Sequence, residues 1–386
     1  MNTRILILLT AFFICLLQVS SVIAANNDDP VLQPILNNGQ KWRIGYIESG
    51  PYSSFPIELQ AIVEALMQIG WIKPTDIPPI KKRGDAAQVW NWLARELQSD
   101  TIEFVDDAFY SANWNKTDYE EQQEQLLPRL HDKQDLDLLL VFGTPLSRGL
   151  LTDRNNVNTL IIETTDAISA GLIKSPTDSG RANIYANIDP ERYMRQLFLF
   201  HSIFDFKSLG VVYEDSPRGR NICSLKKIQE VARERKFTII PCYAPFNDKT
   251  QEQAEQETAR CYEQLASKVD AVYITYHPGV TLRNLPNIAR PLLRHKIPSF
   301  TQGTDEEVKR GVLFSISMDD YNLVARNLAR IIAKVFHGTN PGSLQQPFTT
   351  PLKLTINLKT AQEIDYDPSI NILSAADYIY QNIRQN

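Results

Sequence analysis

The sequence predicts an α/β protein built as two connected lobes, each a parallel, doubly wound sheet with helices on its faces. Three observations lead there. Short apolar runs bounded by Asp and Gly, residues 136–142 (LDLLLVF) above all, have the unbroken hydrophobicity of strands buried on both faces. They alternate with stretches whose apolar residues recur at helical spacing, the signature of β-α-β winding. That rhythm runs twice without a long flexible linker, in a chain of 386 residues that exceeds one ordinary core.

Taken in order, residues 42–47 (WRIGYI) read as a buried strand ended by Glu48-Ser49-Gly50-Pro51. Leu59, Ile62, Val63 and Leu66 then mark one face of a helix that stops at Gly70. Trp90, Leu93 and Leu97 mark a second helix, residues 102–105 a strand, and the polar stretch 113–130 a helix carrying Leu126 and Leu127. The runs 136–142 and 159–163 are the next strands. The second set follows: strands at 206–213, 237–240, 271–274 and 297–300, with helices at 222–236, 251–267 and 288–293 between them. A late block adds a strand at 311–315, a long helix at 321–336 closed by Gly338, a strand at 352–356 and a short helix at 360–364. The polar stretch 25–40 has no periodicity and reads as a disordered leader.

The N-terminus carries one charge, Arg4, then an apolar run from Ile5 to Leu17 and the small-residue exit Val22-Ile23-Ala24. This is a secretory signal peptide over residues 1–24, cleaved after Ala24. The competing reading, an uncleaved anchor, has a run short of the ~20 residues a span needs. An exported protein is therefore expected. Forty basic residues face 45 acidic ones, with no basic arm or face, so no nucleic-acid partner is expected. After cleavage Cys223, Cys242 and Cys261 remain, without the close pairs of metal sites. A Cys223–Cys242 disulfide and three buried thiols are equally open readings.

Reactive constellations are missing. The chain has no Gly-x-Ser-x-Gly elbow, no His-Glu-x-x-His and no glycine-rich phosphate loop, so neither an enzyme of those classes nor a metal or cofactor is expected. What stands out is a set of polar residues just after strands, where open α/β sheets bind ligands. In the first lobe these are Ser49, Tyr52, Ser53, Thr144, Thr165 and Asp166; in the second, Asp215, Ser216, Tyr276, Gln302 and Thr304. Such residues suit a small polar molecule held in a cleft. Individually, each Ser, Thr or Asp could instead cap the helix that follows.

Three segments resemble a known family. Residues 165–175 (TDAISAGLIKS), Val308-Lys309-Arg310-Gly311 with Asp319-Asp320-Tyr321, and residues 354–361 (LTINLKTA) are similar to motifs of the tryptophan/tyrosine-type substrate-binding proteins of ABC transporters. The resemblance implies the type I periplasmic-binding-protein fold: two Rossmann-like (flavodoxin-like) lobes joined by a three-crossover hinge. Lobe one would comprise residues 41–180 plus 305–340, and lobe two 185–300 plus 345–386. It also implies a monomeric periplasmic receptor that closes on its ligand and delivers it to an ABC permease in the inner membrane. The alternative is a sensor docking on a membrane kinase or chemoreceptor. By motif position, ligand contacts would fall on Thr144, Thr165 and Asp166. The loop 48–56 departs from the family, and the segment 301–307 carries an extra residue where a ligand-contacting acid is expected.

Overall fold

The computed structural model of the chain describes residues 29–81, 84–114, 116–143, 154–317, 321–349 and 351–384. Strands β1 (Trp42–Glu48), β2 (Ile102–Ser111), β3 (Leu138–Phe142), β4 (Asn158–Ile162) and β5 (Ile184–Ala186) form a parallel sheet in the order β2-β1-β3-β4-β5. A second sheet takes β6 (Ser208–Tyr213), β7 (Thr238–Tyr243), β8 (Ala271–Ile274), β9 (Ser299–Thr301), β10 (Phe314–Ser317), β11 (Lys353–Asn357) and β12 (Tyr378–Tyr380) in the order β12-β11-β10-β9-β8-β6-β7. Both sheets reverse strand order once near one side, the flavodoxin-like arrangement whose switch point opens a ligand crevice. One pairing departs from the all-parallel expectation: β11 runs antiparallel to β10.

Each sheet is covered on both faces, as the continuous apolar strands required. In the first lobe, helix α1 (Phe55–Gln68) buries Leu59, Ile62, Val63 and Leu66 against β1 and β3, while Ile47, Leu139, Val141 and Ile161 face the opposite layer. Helices α2 (Ala86–Arg95) and α3 (Lys116–Pro128) also belong to this lobe. In the second lobe, α4 (Arg192–Phe204) and α6 (Leu225–Arg235) pack one face, and α7 (Gln251–Leu265) and α8 (Leu285–Arg294) the other. Short helices α5 (Pro217–Ile222) and α9 (Asp305–Val308) follow β6 and β9.

The long helix α10 (Tyr321–Phe336) returns to the first lobe, where Leu328, Ile332 and Phe336 pack with α1 and Trp42 stacks on Phe336 at 4.3 Å. The chain then crosses back through residues 337–352 to β11 and α11 (Leu358–Glu363). Crossings thus run from β5 to α4, from β10 to α10 and from α10 to β11.

Several expectations are corrected. Residues 305–317 belong to the second lobe, because β10 pairs with β9 and β11; a buried apolar run reveals a strand but not its sheet. Residues 185–186 belong to the first lobe, on β5. Residues 29–40 are ordered: Asp29 caps the turn Pro30–Leu32, and the indoles of Trp71 and Trp42 donate to the carbonyls of Leu32 and Ile35, each at 2.8 Å. Residues 1–28 lie outside the described residues, so the expected leader does too.

The disulfide joins Cys242 to Cys261, not Cys242 to Cys223. Cys242 lies on edge strand β7 and faces α7, which carries Cys261. Cys223 ends α5 with its thiol turned inward onto the Arg220 carbonyl, where burial pushes it up to about 12 and keeps it protonated.

Candidate functional site

The loops after β1, β2, β3, β4 and β5 of one lobe face those after β6, β8 and β9 of the other, around a cavity of about 360 Å³. A cavity of this size is right for a small molecule. Aromatic rings form much of its wall. Tyr52 meets Tyr276 edge-on across the lobes at 5.7 Å, and Tyr193 meets Tyr276 at 6.2 Å. Phe55, Trp114 and Phe348 add to the apolar lining. Burial holds the phenols of Tyr52, Tyr193 and Tyr276 well above their usual range, so all three are neutral donors at physiological pH.

Charge is concentrated on three elements. Glu58, on the buried face of α1, and Glu163, the first residue after β4, both line the cavity. Burial, then the neighbouring Glu163, raises the Glu58 carboxyl well above the carboxylate range. Glu163 has φ of 55°, a left-handed conformation that a non-glycine residue adopts at a cost and that clusters at binding sites. Opposite them, Arg192 opens α4. Burial opposes its charge, but its surroundings as a whole, Glu163 among them, raise the guanidinium further, so it stays cationic. Its Nε is buried without a hydrogen-bond partner, as is Oδ1 of Asp189, whose other oxygen binds Arg195. A buried guanidinium with a spare donor is costly unless something else completes it.

Of the residues expected from sequence, Tyr52, Ser53, Thr165 and Tyr276 line this cavity. Thr165 also spans the lobes, its hydroxyl donating to the Asn221 carbonyl at 3.0 Å. Ser49 is buried at the end of β1, with its N–H on the Phe142 carbonyl and its own carbonyl accepting from Trp114. Thr144 lies outside the described residues. Five others do helix-capping or positioning work beside the cavity. Asp166 accepts from the Ser169 N–H at 2.9 Å, and Ser216 caps α5. Thr304 forms a capping box with Glu307 at α9, and Asp215 pairs with Arg220 on the surface. Gln302 holds the Tyr276 N–H at 2.8 Å and donates to the Cys223 carbonyl at 3.0 Å, fixing the loop that presents Tyr276.

Two expected outcomes follow. Asp166→Ala removes a turn cap and costs about 1 kcal/mol of stability, with ligand affinity unchanged; chemical denaturation and a binding titration check both. Thr165→Val removes one bond between closed lobes and speeds ligand release a few-fold, in keeping with the ~1 kcal/mol of a neutral hydrogen bond; stopped-flow dissociation reads it.

Glu58, Glu163, Arg192 and Tyr193 escaped the sequence reading. A signal existed for two of them. Glu58 interrupts the apolar face of an amphipathic helix, and Glu163 ends an apolar strand at its carboxyl edge. Arg192-Tyr193 had none, since α4 was not identified.

Known proteins match this arrangement. Residues 96–379 match the family model described as ABC transporter substrate binding protein. A tyrosine-binding protein of Clostridioides difficile (strain R20291) is 20% identical over 230 residues, 59% of this chain and 63% of that relative's length. Among solved structures, a conserved domain protein from Vibrio cholerae superposes with a TM-score of 0.66 at 19% identity, over 88% of this chain and 100% of the other. An ABC domain in complex with L-Trp from Streptococcus pneumonia gives 0.66 at 20% identity, with the same coverage. These structural likenesses establish the fold of two lobes about a cleft. Among the described residues no helix is long and apolar enough to cross a membrane. With the family model matched over most of its length, this chain belongs to the ABC transporter substrate binding protein family.

Proposed function

We propose that this chain is the periplasmic receptor of an ABC importer: exported by a cleaved leader, monomeric, without catalytic activity, capturing a small amphipathic molecule and handing it to a permease. The observation that carries the reading is the inter-lobe cavity, where three tyrosines surround opposed acidic and basic groups. Rings from both lobes close on the ligand together, so the closed arrangement binds it better than the open one. That difference in affinity is what lets a ligand drive closure and a permease sense it. The relatives named for tyrosine and solved with L-Trp make an aromatic amino acid the first ligand to test.

The experiment is a thermal-shift screen of residues 25–386 against amino acids, aromatic acids, nucleosides, sugars and peptides. A ligand at a hundredfold excess over its Kd stabilises by about 2.7 kcal/mol. A clear shift without turnover is expected, strongest for an aromatic amino acid. No shift in any class, or turnover of a substrate, would overturn the receptor reading.

A further inference from the structure

Among the described residues, Asn113 and Trp114 are the one pair of consecutive non-glycine residues with left-handed backbone, at φ of 49° and 61°. A bulky side chain rarely adopts this conformation, and strain of this kind persists where surrounding contacts hold it and gathers at ligand clamps. Trp114 lines the cavity, and the contacts that hold it come from both lobes. Its backbone N–H donates to the Ser49 carbonyl at 2.9 Å and its indole N–H to the Pro51 carbonyl at 3.0 Å, which ties it to the loop after β1. The indole lies so close to Gly50 that a Cβ there would stand 2.6 Å from a ring atom. Its carbonyl accepts from Nη2 of Arg218, on α5 of the second lobe, at 3.3 Å. Arg218 is itself held within that lobe. Its Nη1 donates to Asn247 Oδ1 at 3.0 Å, and its guanidinium lies 5.3 Å from the centre of the Phe246 ring. The N–H groups of Phe246 and Asn247 donate in turn to one oxygen of Glu214, at 2.7 and 2.6 Å. None of these supports belongs to the first lobe, so the donor keeps its place when the lobes part.

We propose that Arg218 is a positioning residue that latches the lobes shut: through the Trp114 carbonyl it fastens one wall of the cavity and slows ligand release. The inference rests on the receptor reading above and adds to it the residues that set how long a ligand is held. The bond joins groups of different lobes, so it exists only when they meet, and it favours the closed arrangement over the open one. A ligand enters the open arrangement, where the bond is absent, so association is indifferent to it. Dissociation has to break it. A hydrogen bond from a charged donor shifts such an equilibrium by about tenfold.

The test is stopped-flow kinetics with L-tryptophan and L-tyrosine. Arg218→Met keeps an aliphatic stem over Phe246 and removes the donors, so it should raise the dissociation rate about tenfold and leave the association rate within about twofold. Arg218→Lys, which keeps a cationic donor, should recover part of the loss. Gly50→Ala pushes Trp114 off its seat in the other lobe and should speed release as well. The double variant should then release no faster than the faster single one, because the second change acts on a bond already lost. A merely structural role for Arg218 would slow association too, and its effect would multiply with that of Gly50→Ala. Parent-like release in folded Arg218→Met, or effects that multiply, overturns the latch while the receptor reading stands. If neither amino acid binds, the separation of the lobes is read directly in the protein alone. Nitroxide labels at Lys41→Cys and Lys268→Cys, exposed positions on different lobes, give the distance distribution, and Cys223 is buried away from the label. The population at the closed distance should fall in Arg218→Met, and an unchanged distribution overturns the latch. The receptor reading itself fails only if nothing binds in any class.

Discussion

Replacing Arg192 with Met raises the Kd of a carboxylate-bearing ligand by about thirtyfold or more, on a protein that still folds. The argument starts from the sequence around it: Arg192 is the first residue of α4, immediately after the crossing from β5, so its side chain sits at the hinge between the lobes. It is buried, its Nε makes no hydrogen bond, and it stays cationic beside Glu163 against the pull of burial. A donor held in that state is organised for a partner that arrives from outside. Removing a buried charge that pairs with a ligand costs about 2–5 kcal/mol, and each 1.4 kcal/mol is a factor of about ten in Kd. Arg192→Gln, which keeps a donor but loses the charge, should recover part of the loss for L-tyrosine. Both affinities are read by calorimetry, with circular dichroism to confirm that the variants are folded. Parent-like affinity in the folded Met variant would remove Arg192 from the site.

Most strands buried on both faces were legible in the sequence, but the three-residue strand β5 was not. The run 138–142 has no polar residue to confuse it, and α10 was read to its ends because its apolar stripe is long and closed by Gly338. What the pattern could not carry was partnership over distance. Cys261 lies 19 residues after Cys242, and Cys223 the same distance before it, so spacing gave no preference; the side of β7 that faces α7 decided the pairing. The strand at 314–317 was visible, but its sheet depended on β9 and β11. The cleft shows the same limit. Hydroxyl and carboxylate side chains after strands were easy to pick out, and much of that set caps a helix or turn. Of the charges that distinguish this cavity, Glu58 lies more than a hundred residues before Glu163 and Arg192, and only folding brings it to them.

Glu48→Gln should remove a pH dependence of stability worth roughly 3 kcal/mol. Glu48 ends β1 with 1% of its surface exposed, accepting from the Tyr46 hydroxyl and from the Ser111 hydroxyl, each at 2.8 Å. Burial raises its carboxyl from 4.5 to about 7, against the opposing effect of those two bonds. In the unfolded chain the group ionises near 4.5; in the folded protein it keeps its proton until about 7. Between those values the folded state binds more protons, so the stability contributed at acid pH is lost as the pH rises through this window. At 1.36 kcal/mol per pKa unit the full change is about 3 kcal/mol. His277 acts in the opposite sense. Burial lowers its imidazole from 6.5 to about 4, and the ring stays neutral with Nδ1 accepting from the Gly279 N–H and Nε2 donating to the Ala244 carbonyl. Its contribution is lost as the pH falls from 6.5 toward 4, so the two groups oppose each other where their windows overlap. Parent stability alone would therefore hide both. Glutamine reproduces the shape and acceptor of a protonated Glu48 and cannot ionise, so the variant should gain on the parent steadily from pH 4.5 to 7.5. Urea midpoints of parent and Glu48→Gln across that range measure the gain, and a difference that stays constant with pH would show that Glu48 is ionised in the folded protein throughout.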